Sequence, residues 1–233
     1  MLCTHGIRGG IGAAAAHADR LRELGLFAEV HACAHKGEPG LLDTVAKVSA
    51  RTVLLAPLLM AEAYTLRAML HRLEGATRPE QKVLVCRPIG AHPRLIDVIV
   101  ARGAARCEGR GWRPQDTALL LVAHGTERHP DSATTTRQHA AQIAARGSFA
   151  QVAVAFLDQP PRVPDALGMI TAPQCVAVGL FVDQGEHGEE DVPALLAAAG
   201  ERAVYAGPIG ADPLITELIL DQARGASTAV IAS

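Results

Sequence analysis

Short apolar runs alternate with longer amphipathic segments along the whole chain. In the first half the apolar runs are aliphatic or β-branched, which is typical of buried strands: MLCT, AEVHAC, TVLLAPLL and KVLVCRP. After each of them comes a segment with apolar residues at helical spacing: AAAAHADRLREL, GLLDTVAKVSA, YTLRAMLHRLE and PRLIDVIVARGA. Strands that are apolar on both faces predict a parallel sheet with helices on each side.

The second half repeats this order. Its predicted strands are TALLLVA, AQVAVAF, CVAVGLFV and RAVYAGP, and its predicted helices span about 131–146, 161–170, 190–199 and 212–224. A shift of 122 residues places Phe27 to Val45 on Phe149 to Leu167 without a gap. Shifts of 119 and 120 align THG with AHG and PIGAHPRLI with PIGADPLIT. Collinear matches of this kind indicate an internal duplication.

The predicted fold class is therefore α/β, with two similar domains that are each a small parallel β-sheet flanked by helices. The repeat sets the expected domains at 1–104 and 117–233, and the Gly-, Arg- and Pro-rich stretch 105–116 between them is the expected linker. A chain of 233 residues accommodates two such domains. Because the duplication already supplies a pseudo-dimer, we expect a monomer or a homodimer.

Composition excludes several classes of partner. The net charge of −2 comes from charges that are mixed along the chain, so the sequence carries no long-range field for nucleic acid or an anionic membrane. No apolar run approaches the roughly 18 residues of a membrane span. The five scattered cysteines include no CxxC pair, which favours a reducing, cytoplasmic compartment.

Chemistry-bearing side chains follow three of the predicted strands in each half. The second half offers His124, Asp158 and His187 at these places, and the first half offers His5, Lys36 and Thr65. The carboxyl ends of parallel strands meet at one rim of a sheet, where ligands bind. Two imidazoles and a carboxylate can bind a divalent transition metal, whereas an imidazole beside an ammonium repels one. We therefore predict an active second half and a degenerate first half.

Structural interpretations compete with these functional ones. A single histidine after a strand is often a hydrogen-bonded structural residue, and for His5 this interpretation leads. Cys33 and His35 form a C-x-H pair that could bind metal, although strand alternation sends both side chains to one face that helices would cover. The acidic run that contains Glu186 either places anions at a helix N-terminus or feeds hydrated metal to His187.

Four segments of the second half carry a family resemblance: LLLVAHGTERHPDSA, VAVAFLDQPPRVPDAL, VAVGLFVDQGEHGEEDVPALL and GPIGADPLITELI. They resemble the class II tetrapyrrole chelatases, and more narrowly the CbiX/SirB (sirohydrochlorin chelatase) group in its two-domain form. That family has an HG motif after the first strand, an F-L-acidic segment followed by Pro after the second, and a G-x-H-x-x-x-D-[IV]-P loop after the third. Here these motifs are His124-Gly125, Phe156-Leu157-Asp158 and the loop from Gly185 to Pro193. The resemblance is close from about 117 to 224 and looser over 1–104.

The resemblance implies a lyase of cobalamin or siroheme biosynthesis that inserts a divalent metal into sirohydrochlorin or a related tetrapyrrole without ATP. Co²⁺ or Fe²⁺ is the implied metal substrate, with Ni²⁺ as a third candidate, and no nucleotide is implied as cofactor. His124 and His187 are implied to bind the metal and accept protons. Asp158 stands where the family commonly has Glu, which shortens the carboxylate's reach by one methylene and leaves its role as a metal ligand open.

The same resemblance implies a flat, polyanionic substrate, whose carboxylates need cations at the rim. The candidate substrate-binding residues are Arg8, Lys36, Arg128, His5 and Glu186, with Arg162 as a further cation. Each cation could equally be a solvated surface charge.

Two other functions remain open at this point. A non-catalytic carrier of metal or tetrapyrrole would keep the fold without turnover. A histidine phosphatase would use His124 as a nucleophile, but such enzymes normally have Arg just before the histidine, where this chain has Ala123.

Overall fold

The computed structural model describes residues 1–6, 11–61, 64–126, 133–183, 185 and 190–226. Within them, strands and helices alternate in the predicted order. The strands are β1 (Leu2–Thr4), β2 (Ala32–Ala34), β3 (Thr52–Leu58), β4 (Lys82–Val85), β5 (Thr117–Ala123), β6 (Gln151–Phe156), β7 (Gln174–Gly179) and β8 (Ala203–Pro208). The helices are α1 (Gly12–Glu23), α2 (Leu41–Lys47), α3 (Tyr64–Leu73), α4 (Leu95–Glu108), α5 (Thr134–Ala145), α6 (Val163–Met169), α7 (Val192–Ala197) and α8 (Leu214–Arg224).

The strands form two separate four-stranded sheets with the same topology. Their orders are β2-β1-β3-β4 and β6-β5-β7-β8, and every paired strand is parallel. All seven residues of β5 are buried, as the central strand of a sheet covered on both faces must be. The predicted α/β fold class, with two small parallel sheets flanked by helices, is confirmed.

Helices α1 and α5 show that the duplication extends to packing. Each helix buries side chains at positions i, i+3, i+4 and i+7, which lie on one face of an α-helix. The buried positions of α1 and of α5 are related by the same shift of 122 residues: Ala14, His17, Ala18 and Leu21 in α1, and Thr136, His139, Ala140 and Ile143 in α5.

The compact packing units do not coincide with the sequence repeats. One unit comprises residues 1–92 and 211–233, and the other comprises residues 93–210. Helix α4, from the first repeat, packs against β7 and β8, where the Arg102 Nε donates a hydrogen bond to the Ala206 carbonyl over 2.9 Å. Helix α8, from the second repeat, packs against α1 and β3, and its Thr216 Oγ1 lies 2.8 Å from His17 Nδ1. The last helix of each repeat therefore completes the unit built on the other repeat's sheet.

The repeated Pro-Ile-Gly sequences mark a close backbone approach in each unit. The Gly90 amide donates to the Leu59 carbonyl, and the Gly210 amide donates to the Phe181 carbonyl, both over 2.9 Å. A Cβ atom on Gly90 would lie 2.0 Å from the Met60 carbonyl oxygen. Only glycine fits at such a position.

Two segments differ from the sequence prediction. Residues 28–31, predicted as the start of the second strand, lie outside β2, which begins at Ala32. Helix α4 runs to Glu108, four residues into the stretch predicted as the linker. None of the helices in the described part of the chain combines the length and apolarity needed to cross a bilayer.

Candidate functional site

A tight turn after β5 presents the His124 side chain at the carboxyl end of the second sheet. Gly125 has φ of +67°, a conformation that glycine adopts without strain. A Cβ atom there would lie 2.6 Å from Gln159 Cγ, so the absence of a side chain lets the Gln159 chain pack against the turn. The Gln159 Oε1 then accepts a hydrogen bond from the Thr126 amide over 2.7 Å.

Backbone hydrogen bonds hold the Asp158 loop beside this turn. The amides of Leu157 and Asp158 both donate to the His124 carbonyl, over 3.1 and 2.9 Å. From the far side, Arg162 Nη1 donates to the Leu157 carbonyl over 2.5 Å. The loop after β6 is therefore fixed against the end of β5 by main-chain contacts, which position its carboxylate.

The imidazole of His124 contacts two oxygen atoms through one nitrogen. Its Nδ1 lies 2.8 Å from the Gly125 carbonyl oxygen and 3.3 Å from Asp158 Oδ2. A carbonyl oxygen can only accept, so Nδ1 carries the proton and Nε2 carries the lone pair. The His124 and Asp158 side chains are 50% and 58% exposed, so both reach solvent at the rim. The carboxylate and the carbonyl oxygen together fix the orientation of the imidazole ring.

The first unit has the same backbone arrangement with different chemistry. The Lys36 amide donates to the His5 carbonyl over 2.9 Å, which matches the contact between Asp158 and His124. The side chains of His5 and Lys36 are exposed at this rim. Where the second unit has a carboxylate, the first has an ammonium group, and a cation there disfavours a second cation.

Positive groups surround His35, which is buried beneath the first rim. Its ring centroid lies 6.2 Å from that of His5, and its carbonyl accepts a hydrogen bond from Arg72 Nη1. Burial, together with the charges of Arg72, His5 and Lys36, lowers the pKa of His35. Cys33, the other half of the C-x-H pair, is also fully buried. Both side chains thus lie in the core, as the strand alternation indicated.

Four predicted site residues lie outside the described residues: His187, Glu186, Arg128 and Arg8. The structure thus brings together His124 and Asp158, and separately His5 and Lys36. Thr65 lies in the first turn of α3. Within the described ranges no group of three or more His, Cys, Asp or Glu side chains is arranged to hold a metal ion.

Two residues near the rim were missed by the sequence analysis. Gln159 is 9% exposed and supports the turn at Thr126, while the matching position of the first repeat is Gly37. Asp183, also 9% exposed, follows β7 at the same end of the sheet. A comparison of the repeats position by position would have identified Gln159. Asp183 could have been found as the first carboxylate after β7.

Comparison with known proteins gives a consistent family. The CbiX family model matches residues 1–105 and again residues 118–226. A probable sirohydrochlorin cobaltochelatase of Halobacterium salinarum is 30% identical over 250 residues, covering 92% of this chain and 85% of that protein. A sirohydrochlorin cobaltochelatase of Methanopyrus kandleri is 28% identical over 138 residues, which span 96% of that protein and 47% of this chain.

A solved structure extends the similarity to three dimensions. The structure of CbiX, described as the terminal enzyme for biosynthesis of siroheme in denitrifying bacteria, superposes with a TM-score of 0.81 at 27% identity. The superposition covers 97% of this chain and 98% of that one. The two family matches, the related sequences and this shared fold agree, and the chain belongs to the CbiX family of sirohydrochlorin chelatases as a member that carries the family's domain twice.

Proposed function

We propose that this protein inserts Co²⁺ or Fe²⁺ into sirohydrochlorin without a nucleotide, and that the second repeat carries the chemistry. The observation that carries this proposal is the pairing of His124 with Asp158. It holds the imidazole at the rim of the second sheet with Nδ1 directed at oxygen acceptors, the orientation in which a histidine would bind a metal ion through Nε2. The matching position of the first unit is occupied by Lys36, which weakens the case for metal binding there.

The reaction exchanges two protons for one metal ion. A divalent metal enters the macrocycle, and the two pyrrole nitrogens that carried hydrogen release two protons. Imidazole accepts protons near neutral pH, so His124 can bind the incoming metal and take up a proton once the metal has moved to the ring. Asp158 stabilises the resulting imidazolium through its contact with Nδ1.

The assignments of His187 and Asp158 in this proposal come from the family motifs, and those of the other residues come from the anionic character of the substrate and from their position near the rim. His187 would supply the second imidazole, and Asp158 would lend its other carboxylate oxygen to the metal. Arg128, Arg8, Lys36 and His5 would contact substrate carboxylates, and Glu186 would lie beside the substrate and the incoming metal. The names of the relatives include both cobaltochelatase and siroheme biosynthesis, and this supports cobalt and iron as the two metals to test first.

Turnover with the purified protein tests this function. Sirohydrochlorin is mixed with Co²⁺ or Fe²⁺ in separate anaerobic reactions, and the visible spectrum of the macrocycle is followed with and without protein. We expect catalytic acceleration with at least one of the metals, and its loss in His124→Ala. Saturable binding of the macrocycle without acceleration would instead identify a carrier.

The choice of metal needs a competition experiment, because metal selectivity depends on site geometry and supply more than on ligand identity. Equal concentrations of the two ions are offered to one enzyme sample, and the products are separated and quantified. We expect one metallated product to dominate beyond its share of the uncatalysed reaction.

A further inference from the structure

The loop after β2 differs in charge from its counterpart in the second unit. His35 and Lys36 follow β2 directly, and the shift of 122 residues places them on Leu157 and Asp158. The main chain is held in the same way in both units, by an amide of this loop that donates to the carbonyl of the histidine after the central strand. The two rims thus share a backbone shape, but the first has an imidazole and an ammonium group where the second has an apolar side chain and a carboxylate.

Helix α3 adds a third basic group to the rim of the first unit. Buried residues at the same spacing align α3 with α7: Met69 and Leu73 in the former, and Val192 and Leu196 in the latter. Arg72 therefore matches the apolar Leu195. Its Nη1 donates to the His35 carbonyl over 2.5 Å, which holds the guanidinium at the end of β2. A guanidinium has five N–H donors, so this contact leaves most of them for another acceptor.

The two cations at this rim are not neutralised by acidic side chains. Within the described ranges no carboxylate forms an ion pair with Lys36 or with Arg72. Glu74, the acid nearest to Arg72 in sequence, lies 3.1 Å from His71 Nδ1 instead. Glu38, the acid nearest to Lys36 in sequence, is exposed to solvent. The rim of the first unit therefore carries an excess of positive charge.

His35 lies beneath these charges with one nitrogen unsatisfied. The residue is only 6% exposed, and its Nδ1 has no hydrogen-bond partner among the residues that the structure describes. Buried polar nitrogens of native proteins nearly always have a partner. Burial, and then the charges of Arg72, His5 and Lys36, lower the pKa of His35, so the ring is neutral at pH 7. A negatively charged acceptor would both satisfy Nδ1 and offset these charges.

The chemistry of these three side chains selects an oxyanion over a metal ion. A divalent cation would be repelled by the ammonium and guanidinium groups. A carboxylate or phosphate group, in contrast, accepts paired hydrogen bonds from a guanidinium, and an ammonium group adds a compact charge. A neutral imidazole with its proton on Nδ1 supplies a further donor.

We propose that Arg72, Lys36 and His35 form a binding site for an oxyanion, a carboxylate or phosphate group, at the rim of the first unit. Arg72 donates through N–H groups that do not contact the His35 carbonyl, Lys36 contributes its ammonium charge, and His35 donates from Nδ1. Two sources can supply this group: a carboxylate of the tetrapyrrole, which rests on the proposed function, or a free inorganic anion. The first unit thus binds an anion at the place where the second unit has its candidate metal site.

Titration with inorganic phosphate tests this site without the macrocycle. The full chain is labelled with ¹³C in its histidines, and the ring signals of His35, assigned through the backbone, are followed by NMR at pH 7. Sodium chloride at matched ionic strength controls for general screening of charge. We expect phosphate to shift the His35 signals saturably, and chloride to leave them nearly unchanged.

Substitutions at the rim test the two cationic donors. Lys36→Gln and Arg72→Gln each remove one positive charge, and Lys47→Gln removes the same charge from the exposed last residue of α2, away from this rim. We expect phosphate to bind at least about tenfold more weakly to the first two variants, because each loses a charge-assisted hydrogen bond. Its affinity for Lys47→Gln should equal that of the parent chain. Lys36 is exposed, so Lys36→Gln gives a valid test even if Arg72→Gln is less stable.

Metal-free sirohydrochlorin then identifies the source of the oxyanion. Its own binding is followed by its visible spectrum, so a failure of the proposed function is recognised separately from the phosphate result. We expect the macrocycle to displace phosphate from the His35 site. Phosphate binding that the macrocycle leaves unchanged would support the site with a free anion as its occupant.

Two results would overturn the proposal. One is a shift of the His35 signals that does not saturate with phosphate or that chloride reproduces. The other is an equal affinity of Lys36→Gln and Lys47→Gln for phosphate, because it would show that the rim does not hold the anion.

Discussion

His124 Nδ1 lies 3.3 Å from Asp158 Oδ2, across the ends of two adjacent parallel strands. The Gly125 carbonyl shares the same nitrogen, and this fixes which ring nitrogen carries the proton. The contact brings together residues of two of the sequence motifs, His124-Gly125 and Phe156-Leu157-Asp158. The Asp158 carboxylate reaches the His124 ring because the loop that carries it is hydrogen-bonded to the His124 backbone.

Replacing Asp158 by Asn tests the role of its charge. Asparagine keeps an oxygen that can accept from Nδ1 but loses the negative charge that stabilises the imidazolium. We expect Asp158→Asn to lower the kcat for metal insertion about 10- to 100-fold, the usual cost of losing a partner of a metal-binding histidine. Steady-state kinetics with sirohydrochlorin measure this, with Asp158→Glu as the conservative control. Unchanged kcat in Asp158→Asn would remove Asp158 from the mechanism.

The substitution Gly125→Ala tests how strongly the stability of the turn after β5 depends on close packing against Gln159. Gly125→Ala forces a side chain at positive φ and also places Cβ 2.6 Å from Gln159 Cγ. Gly147 has a similar φ of +64°, with nothing within 4 Å of an added Cβ, so Gly147→Ala reports the backbone strain alone. We expect Gly147→Ala to cost about 1 to 2 kcal/mol of unfolding free energy and Gly125→Ala to cost more. Urea denaturation measures both. Equal costs would show that the Gln159 side chain moves aside freely.

The substitution Gly210→Ala tests whether the close backbone approach at the second Pro-Ile-Gly sequence contributes to stability. A Cβ atom there would lie 2.1 Å from the Val182 carbonyl oxygen, which is backbone and has little freedom to move. We expect Gly210→Ala to lower the free energy of unfolding by at least about 2 kcal/mol. The control is Gly168→Ala in α6, where an added Cβ meets nothing within 4 Å and should be neutral or slightly stabilising. Similar stability of the two variants would contradict the close approach.

The hydrogen bonds to the Glu29 carboxylate predict that the free energy of unfolding falls in acid. Its hydrogen bonds from Ser49 and His31, and from the backbone of Ser49 and Ala50, lower the pKa of Glu29 to about 2. Because the unfolded value is higher, about 4.3, this contribution to stability is complete above pH 4.3 and is lost as the pH falls toward 2. Glu29→Gln, which copies Gln151 of the second repeat, should therefore unfold with a flatter dependence on pH over this range.

Thermal unfolding of the parent chain, Glu29→Gln and Glu23→Gln is measured at pH 7, 4.5 and 3. Glu23→Gln, an exposed change at the end of α1, controls for the loss of one negative charge. An acid-induced fall in Tm that is as steep in Glu29→Gln as in the parent chain would show that the hydrogen bonds from Ser49 and Ala50 to the ionised Glu29 carboxylate do not cause it.

The pattern of the sequence predicted the order of strands and helices, but not which sheet each helix covers. Helix α4 has the apolar face that the spacing indicated, yet this face packs in the unit that contains β7 and β8. An amphipathic pattern identifies a buried face and carries no information about its partner. Residues 28–31 show a second limit, because they continue the apolar pattern of β2 but lie outside the strand, and such a pattern does not show at which residue strand pairing begins.

The candidate site could be predicted in part for a clear physical reason. Parallel topology forces residues that follow adjacent strands to one rim, so the contact between His124 and Asp158 follows from the strand order. The choice of Nδ1 as the protonated nitrogen depends on a carbonyl contact within the turn, and the support from Gln159 depends on the absence of a side chain at Gly125. Such details of backbone geometry are not encoded in the spacing of apolar residues.

The most direct measurement is the rate of metal insertion into sirohydrochlorin by two matched variants, His124→Ala and His5→Ala, each checked for an unchanged Tm. The histidines occupy equivalent positions of the two repeats, so the changes remove the same atoms from the same place in each sheet. We predict that His124→Ala lowers the rate by at least about 100-fold, whereas His5→Ala retains most of it. Equal losses in the two variants, or a greater loss in His5→Ala, would contradict the assignment of the chemistry to the second repeat.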